Sequence, residues 1–216
     1  YFGQGRPAIS PIPSNLAWAH NPKVPVYAYD PARAAALLDE AGYPKGANGE
    51  RLTLRFVYDP ANSAANKASE VVAQQLRSVG INVKQMPMER SLMLDKVYKN
   101  YDFDIHIHNY TTYGDPGIGV ARMYVCDNIK PAPFANVSRY CNPKLDEIFR
   151  QAASATTQAE RAKYYYAAQE ILMRDLPVIP LFEYGDTNVA RERVQNIFKS
   201  HSAHERWDQV WVSDGK

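Results

Sequence analysis

The chain has 216 residues, with 25 basic and 23 acidic side chains and a formal net charge of +2. That length suffices to bury the core of one large domain or two small ones. The basic residues are scattered, which predicts no nucleic-acid partner. The apolar runs are far shorter than the roughly 20 residues that cross a bilayer.

The first part of the chain predicts an extended segment followed by a short helix. Residues 1–28 contain several Pro and Gly and no sustained periodicity, so we expect them to cross the surface. Asp30 is placed to cap the first free N–H groups of the helix, and Pro31 fits its first position. Gly42 suits the left-handed conformation that ends a helix. One apolar stripe follows from helical spacing: Ala34, Leu37, Leu38 and Ala41.

Strands and helices alternate over the next part of the chain. Alternating apolar residues predict strands at 52–58, from 81 to 83 and at 103–108. Helical spacing predicts helices at 63–79 and 89–99. This order is typical of an α/β layer. The helix at 63–79 is expected to bury one face, formed by Ala68, Val72, Leu76 and Val79.

The remainder of the main body is predicted to be mostly helical. A short helix begins near Pro116, and residues 124–141 are irregular. Two consecutive helices follow at about 143–155 and 158–175, and then a strand at 178–182. The second of these helices should carry on its inner face Ala162, Tyr165, Ala168 and Leu172.

Several motifs occur in an order that resembles a known family. Residues 10–13 read SPIP, residues 29–44 read YDPARAAALLDEAGYP, and residues 140–147 read YCNPKLDE. Residues 161–181 read RAKYYYAAQEILMRDLPVIPL. Together they resemble family 5 of the extracytoplasmic solute-binding proteins, the dipeptide-, oligopeptide- and nickel-binding group that feeds ABC transporters.

This resemblance implies a fold and a division of the chain. The fold is α/β: the C-terminal lobe of a type II (cluster C) periplasmic-binding-protein fold, with a mixed sheet flanked by helices. Residues 29–185 would form this lobe, residues 1–28 an extended crossover segment, and residues 186–216 a tail that returns to a missing N-terminal lobe. The chain would be the C-terminal half of its protein, and the upstream half would carry the secretory signal.

The resemblance also implies a function without covalent chemistry. A family member is the periplasmic component of an ABC importer in a Gram-negative type of cell. It binds a peptide-like or other small polar solute between two lobes and delivers it to the permease subunits. The implied partners are therefore the solute, the permease and the N-terminal lobe. No enzymatic activity and no cofactor are expected.

The loop at 110–116 is the predicted ligand site, because ligands of open α/β sheets collect beyond the carboxyl ends of strands. In the peptide-binding relatives this loop supplies a carboxylate that pairs with the ligand's ammonium group, and the matching position here is Thr112. The missing acid favours a neutral, anionic or differently arranged solute. The candidate ligand-binding residues are Tyr110, Thr111, Thr112, Tyr113, Asp115, Arg122 and Trp18.

Structural roles remain open for several of these candidates. Asp115 precedes a proline at a helix start and is favoured as an N-cap. Arg122 is either a solvated surface cation or a group that binds an anion. Trp18 and the tyrosines, including Tyr124, either line a pocket or pack in the core.

The two cysteines, Cys126 and Cys141, are 15 residues apart. Spacing alone leaves open both a disulfide and two buried free thiols. The peptide-binding relatives often carry a cysteine pair in this region, so the resemblance implies a disulfide. Such a bridge fits the periplasm.

Two functions from other classes remain as alternatives. Asp104, His106 and His108 alternate along a predicted strand and so share one face, which would suit a zinc-dependent enzyme. The other explanation for this face is that it lies under a helix or near the lobe interface, with imidazoles hydrogen-bonded to the backbone. The second alternative is a sensory module that presents its ligand to a receptor.

Overall fold

The computed structural model describes residues 5–185, 189–198 and 207–214. These residues divide into two compact units. The first unit comprises residues up to 26, residues 110–128 and residues from 138 onwards; the second comprises residues 27–109 and 129–137. None of the helices in the described ranges is both long and apolar enough to cross a membrane.

Together with a π-helical turn and short 3-10 helices, seven strands and six α-helices make up the regular structure of the described residues. In chain order they are β1 (Arg6–Pro7), α1 (Pro31–Glu40), β2 (Leu52–Tyr58), α2 (Ser63–Ser78), β3 (Ile81–Pro87), α3 (Arg90–Leu94), β4 (Ile105–His106), α4 (Pro116–Gly119), α5 (Pro143–Ser154), α6 (Gln158–Asp175), β5 (Phe182–Glu183), β6 (Val194–Gln195) and β7 (Trp211–Val212). The predicted α/β class is confirmed.

The ends of α1 are formed as the sequence predicts. The Asp30 carboxylate accepts a hydrogen bond from the Arg33 backbone N–H at 2.8 Å. Gly42 has a φ of 84°, in the left-handed region. The predicted stripe is only partly covered, because Leu37 remains 47% exposed. The two stripe residues that pack on the apolar cluster of the sheet are Ala34 and Leu38.

The second unit is built on a three-stranded sheet in the order β3-β2-β4. Both strand pairs are parallel, with Leu52 opposite Ile81 and Phe56 opposite Ile105. The helix α2 connects β2 to β3. All three strands therefore end at the same edge of the sheet. The antiparallel pairs, β1-β5 and β6-β7, form separate two-stranded sheets.

β4 covers only two of the six residues predicted as a strand at 103–108. Side chains contact backbone groups of β2 just before β4 and within it. The Asp104 carboxylate accepts from the Arg55 backbone N–H at 2.7 Å, and Nδ1 of His106 lies 3.1 Å from the Val57 carbonyl. The Asp104 contact occupies the Arg55 N–H, a backbone group of β2 that a β4 beginning earlier would need.

The inner face of α2 differs by one position from the prediction. Its buried residues are Ala65, Ser69 and Ala73, whereas the predicted Ala68, Val72 and Leu76 are half-buried. Small side chains let the helix axis lie close to the sheet, so the larger residues fall at the margins of the contact. Val79, just beyond the helix, is buried as predicted.

The predicted helix at 89–99 is a short α-helix that continues as a π-helical turn at Asp95–Lys99. Glu89 is its N-cap rather than its first helical residue. The wider turn places Val97 and Tyr98 together in the core beside Met93. Leu92, which lies in the same α-helix as Met93, is exposed.

The core of the first unit lies between α5 and α6. Tyr165, Ala168 and Leu172 are buried as predicted, while Ala162 is half-buried. They pack against the buried face of α5, formed by Leu145, Ile148, Phe149 and Ala152. The predicted disulfide between Cys126 and Cys141 is confirmed, with the two Cα atoms 4.7 Å apart.

The start of the chain is more deeply packed than a segment that crosses the surface. Ile12 and Ala19 belong to the core of the first unit, so that part of the prediction is wrong. Short turns, rather than a continuous extended chain, place these residues. Within the segment, only β1 pairs as a strand, with β5.

The strand predicted at 178–182 is displaced to β5, at Phe182–Glu183. Pro177 and Pro180 have no backbone N–H to donate, which prevents a ladder over the earlier residues. In the tail, Trp207 and Trp211 are 67% and 54% exposed. Residues 186–188, 199–206 and 215–216 of the tail lie outside the described residues, and its packing against another lobe stays a prediction.

Candidate functional site

A groove of about 740 Å³ lies at the carboxyl edge of the parallel sheet. Its walls follow β2, β3 and β4, which is where ligands of open α/β sheets collect. The sequence did not indicate this groove, although Asp59 and Asn109 each directly follow a predicted strand. The lining residues are Asp59, Pro60, Ala61, Asn62, Glu89, Arg90 and Asn109.

Amide and backbone groups organise the wall after β2. Asn62 caps α2 by accepting from the Ala65 backbone N–H at 3.1 Å, and its Nδ2 donates to Oδ1 of Asn109 at 3.0 Å. Asp59 accepts from the Ala61 backbone N–H at 2.9 Å. These hydrogen bonds fix the start of α2 against the end of β4.

The two charged residues of the opposite wall have different surroundings. The Glu89 carboxylate accepts hydrogen bonds from the Ser91 hydroxyl and from the Ser91 backbone N–H, the latter at 3.0 Å, and these lower the pKa of Glu89. Arg90 is exposed and forms no ion pair within the described residues. The guanidinium of Arg90 therefore remains available to a ligand.

Beside the groove, the imidazoles of His106 and His108 stack with their ring centroids 5.7 Å apart. Burial lowers the pKa of both to about 4, and for His108 the positive charge of Arg90 acts in the same direction. The side chain of Asp104, the third member of the proposed zinc set, instead binds Arg55 through Nε at 3.0 Å. Across the described ranges, no group of three or more His, Cys, Asp or Glu side chains is placed to hold a metal ion.

The predicted ligand loop at 110–116 belongs to the first unit. Tyr113 and Gly114 have φ values of 53° and 78°, and the Asp115 N–H donates to the Thr112 carbonyl at 3.1 Å to close a turn. Gly119 of α4 lies directly against this turn: a Cβ added there would be 2.2 Å from the Cα of Thr112. Thr112 is half-buried.

Thr111 lies beside that turn and is exposed.

Asp115 is held from two directions. Its Oδ1 accepts from the Gly117 backbone N–H at 2.8 Å, which is the predicted N-cap of α4. In addition, Nη2 of Arg161 lies 2.8 Å and 2.9 Å from its two carboxylate oxygens. Arg161 lies 46 residues away in the chain, and no local pattern in the sequence indicates that it pairs with Asp115.

The Trp18 ring lies against the guanidinium of Arg161, whose central carbon is 5.3 Å from the ring centroid. Its ring also meets the Tyr165 ring edge-on at 5.6 Å. Trp18 is partly buried against the core of the first unit. Of the candidate residues, the structure thus brings Trp18 and Asp115 together through Arg161.

A second cluster joins Arg122 to two candidate tyrosines. The guanidinium carbon of Arg122 is 5.2 Å from the ring centroid of Tyr113 and 5.9 Å from that of Tyr110. Its Nε donates to the Gly119 carbonyl at 3.3 Å, and no carboxylate in the described part of the chain pairs with it. Tyr124 is a core residue, and its burial raises the pKa of the phenol.

Comparison with known proteins decides the family. Residues 1–131, more than half of the chain, match the family described as bacterial extracellular solute-binding proteins, family 5 Middle. The chain belongs to this family. The resemblance in the motifs and the predicted fold are thereby confirmed.

Individual relatives agree with that membership. The chain is 30% identical over 186 residues to the glutathione-binding protein GsiB of Escherichia coli K12, a match that covers 84% of the chain and 35% of that protein. The chain therefore spans about a third of the length of the curated relatives it matches.

Solved structures share the fold. The chain is similar to the structure of HbpA2 from Haemophilus parasuis, with a TM-score of 0.77 and 25% identity. The match covers 99% of this chain and 41% of the HbpA2 chain. The chain is also similar to a dipeptide-binding protein from Pseudoalteromonas sp. SM9913 in complex with Met-Leu, and that match covers 85% of this chain and 36% of the dipeptide-binding protein. Its TM-score is 0.73 and its identity 28%.

Proposed function

We propose that this chain is part of the periplasmic solute-binding component of an ABC importer. The observation that carries the proposal is the family 5 match over residues 1–131. The groove at the carboxyl edge of the parallel sheet supports it, because that is where this kind of sheet holds ligands. The bound solute is peptide-like or another small polar molecule, in keeping with the glutathione and Met-Leu named for two of the relatives.

In this proposal the protein binds its solute without transforming it. Two lobes close around the ligand, and the closed form is delivered to the permease subunits. Residues 29–185 act as the C-terminal lobe, residues 1–28 as a crossover segment, and residues 186–216 as a tail that returns to the other lobe. A periplasmic location agrees with the disulfide between Cys126 and Cys141.

The loop at 110–116 and Arg122 are proposed to govern the choice of solute. Tyr110 and Tyr113 hold the Arg122 guanidinium, which has no carboxylate partner in the described residues and so suits an anionic group. Thr112 offers a hydroxyl where peptide-binding relatives offer a carboxylate. Thr111, Asp115 and Trp18 complete the proposed ligand-binding set.

Ligand capture by the full-length protein tests the function. The protein is purified under native conditions, and native mass spectrometry should show one small solute per molecule, lost after unfolding and refolding. Calorimetry should then recover binding of the identified solute by the stripped protein. Purified protein that carries no solute, and that binds neither glutathione nor Met-Leu, would contradict the proposal.

Two substitutions in the full-length protein test the proposed loop. Thr112→Asp should shift the preference toward cationic solutes, because it adds a negative charge. Arg122→Ala should weaken the binding of anionic solutes by about 1.5–3 kcal/mol, because a charge-assisted hydrogen bond is lost. Arg150→Ala, which removes an exposed guanidinium of α5, is the matched control and should leave affinity unchanged. Wild-type affinity and preference in both loop variants would show that the loop lies away from the ligand.

A further inference from the structure

We infer that Asp59 is a specificity residue that receives an ammonium group of the solute, with Arg90 available for the carboxylate of the same zwitterionic ligand. This inference rests on the proposed function and names the chemical class of ligand for the groove. Asp59 and Arg90 both line the groove, on walls that follow different strands.

Asp59 is a buried carboxylate without a cation. The residue is only 8% exposed, yet no Lys, Arg or His of the described ranges forms an ion pair with it. The hydrogen bond from the Ala61 backbone N–H, at 2.9 Å, reaches Oδ1, and Oδ2 accepts no hydrogen bond from the described residues. A carboxylate removed from water is costly unless a positive or strongly donating group compensates it.

The neighbouring imidazole does not supply that charge. His108 is close enough for Asp59 to act on it electrostatically, but burial lowers the pKa of His108 to about 4. The ring is therefore neutral at pH 7. Asp59 thus lines the groove without an ion-pair partner among the described residues, which is the environment that selects a cationic ligand group.

The position of Asp59 in the sheet agrees with this role. β2 is the central strand, so Asp59 lies in the middle of the carboxyl edge. Arg90 follows β3 on the opposite wall, and the two side chains form no ion pair with each other. Because both residues line one groove, they suit a ligand that carries both charges. A carboxylate at the end of β2 also gives this chain a means to bind an amine without an acid at Thr112.

Paired probes in the full-length protein test the inference. Each amine-bearing probe, Met-Leu or glutathione, is compared by calorimetry with an analogue in which a hydroxyl replaces the ammonium group. Wild-type protein should bind at least one amine at least tenfold more tightly than its analogue. Asp59→Asn retains an acceptor for the Ala61 N–H and should reduce that ratio to near one. Asp59→Glu should preserve the ratio.

A charge-matched control and a fold check accompany these variants. Asp95→Asn removes an exposed carboxylate from the π-helical turn of the same unit and should keep the wild-type ratio. Thermal unfolding establishes that each variant is folded. Equal binding of amine and hydroxyl probes by the wild type, an unchanged ratio in Asp59→Asn, or binding of no amine probe would each overturn the inference. A solute that co-purifies but lacks an amine would overturn it too, and would leave the proposed function standing.

Discussion

Gln169 shows how much a single buried side chain contributes to this molecule. It is fully buried in α6, and its Oε1 accepts from the Ser10 hydroxyl and from the Asn21 backbone N–H at 3.1 Å. Its Nε2 donates to the carbonyls of Ala19 and Tyr165, each at 2.8 Å. One amide thus fastens the start of the chain to a helix about 150 residues later.

Gln169→Leu is expected to lower the free energy of unfolding by about 2–4 kcal/mol, because it leaves several buried polar groups without partners. Urea unfolding monitored by circular dichroism measures the change. Gln151→Leu, an exposed position on α5, is the matched control and should stay within about 0.5 kcal/mol of wild type. Equal effects of the two substitutions would show that the Gln169 network contributes nothing.

The stacked pair of His106 and His108 predicts a pH dependence of stability. Burial lowers the pKa of each to about 4 in the folded protein, below the ordinary value of 6.5. The unfolded chain therefore binds protons first as the pH falls. Stability should be lost between about pH 6.5 and pH 4, by up to roughly 3 kcal/mol per imidazole, and the loss should level off below pH 4.

His106→Asn tests the origin of this pH dependence of stability, because it removes one titrating ring while retaining a polar side chain near the Val57 carbonyl. The difference in unfolding free energy between pH 7 and pH 4.5 should shrink in this variant. His20→Asn, in the other unit, should keep the wild-type difference because both stacked imidazoles remain. A wild-type slope in His106→Asn would assign the pH dependence to other groups.

At the scale of elements, the contact between α4 and the loop at 110–116 depends on the absence of a side chain. A Cβ at Gly119 would lie 2.2 Å from the Cα of Thr112 and 2.3 Å from its carbonyl carbon and oxygen. Backbone atoms cannot yield to such a clash as the end of a flexible side chain can. The loop conformation is therefore set by helix packing as well as by its own turn.

Gly119→Ala should displace the loop and lower the free energy of unfolding by about 1–3 kcal/mol. If the loop governs solute choice, the full-length variant should also bind its solute more weakly. Gly185→Ala is the control, since a Cβ there has no neighbour within 4 Å. Calorimetry and urea unfolding measure both effects; a Gly119→Ala protein with wild-type stability would refute the close contact.

At the scale of the whole molecule, the chain covers 35% of GsiB. If a second lobe encloses the solute, the 216-residue chain alone should bind much more weakly than the full-length protein, because part of the enclosing surface is absent. Calorimetry of both proteins with Met-Leu and glutathione makes the comparison. Similar affinities would place the complete site within these residues.

Sequence by itself determined the elements whose signals are local. Asp30 and Asp115 each cap the helix that follows, as predicted, and β2 has its predicted bounds. Caps and alternation are read from neighbouring residues, so they need no knowledge of the fold. The family motifs likewise identified the α/β class and the cysteine pair.

Tertiary structure alone decided the polar partnerships and the groove. Arg161 binds Asp115 from 46 residues away, and Gln169 binds Ser10 from 159 residues away. β4 is shorter than predicted at its start, where the Asp104 carboxylate accepts the Arg55 N–H of β2. Asp59 became a site candidate only when three strand ends met at one edge. Such contacts form between residues that are distant in the chain and become neighbours only when the fold packs. The periodicity of the sequence reports local structure alone and therefore does not predict them.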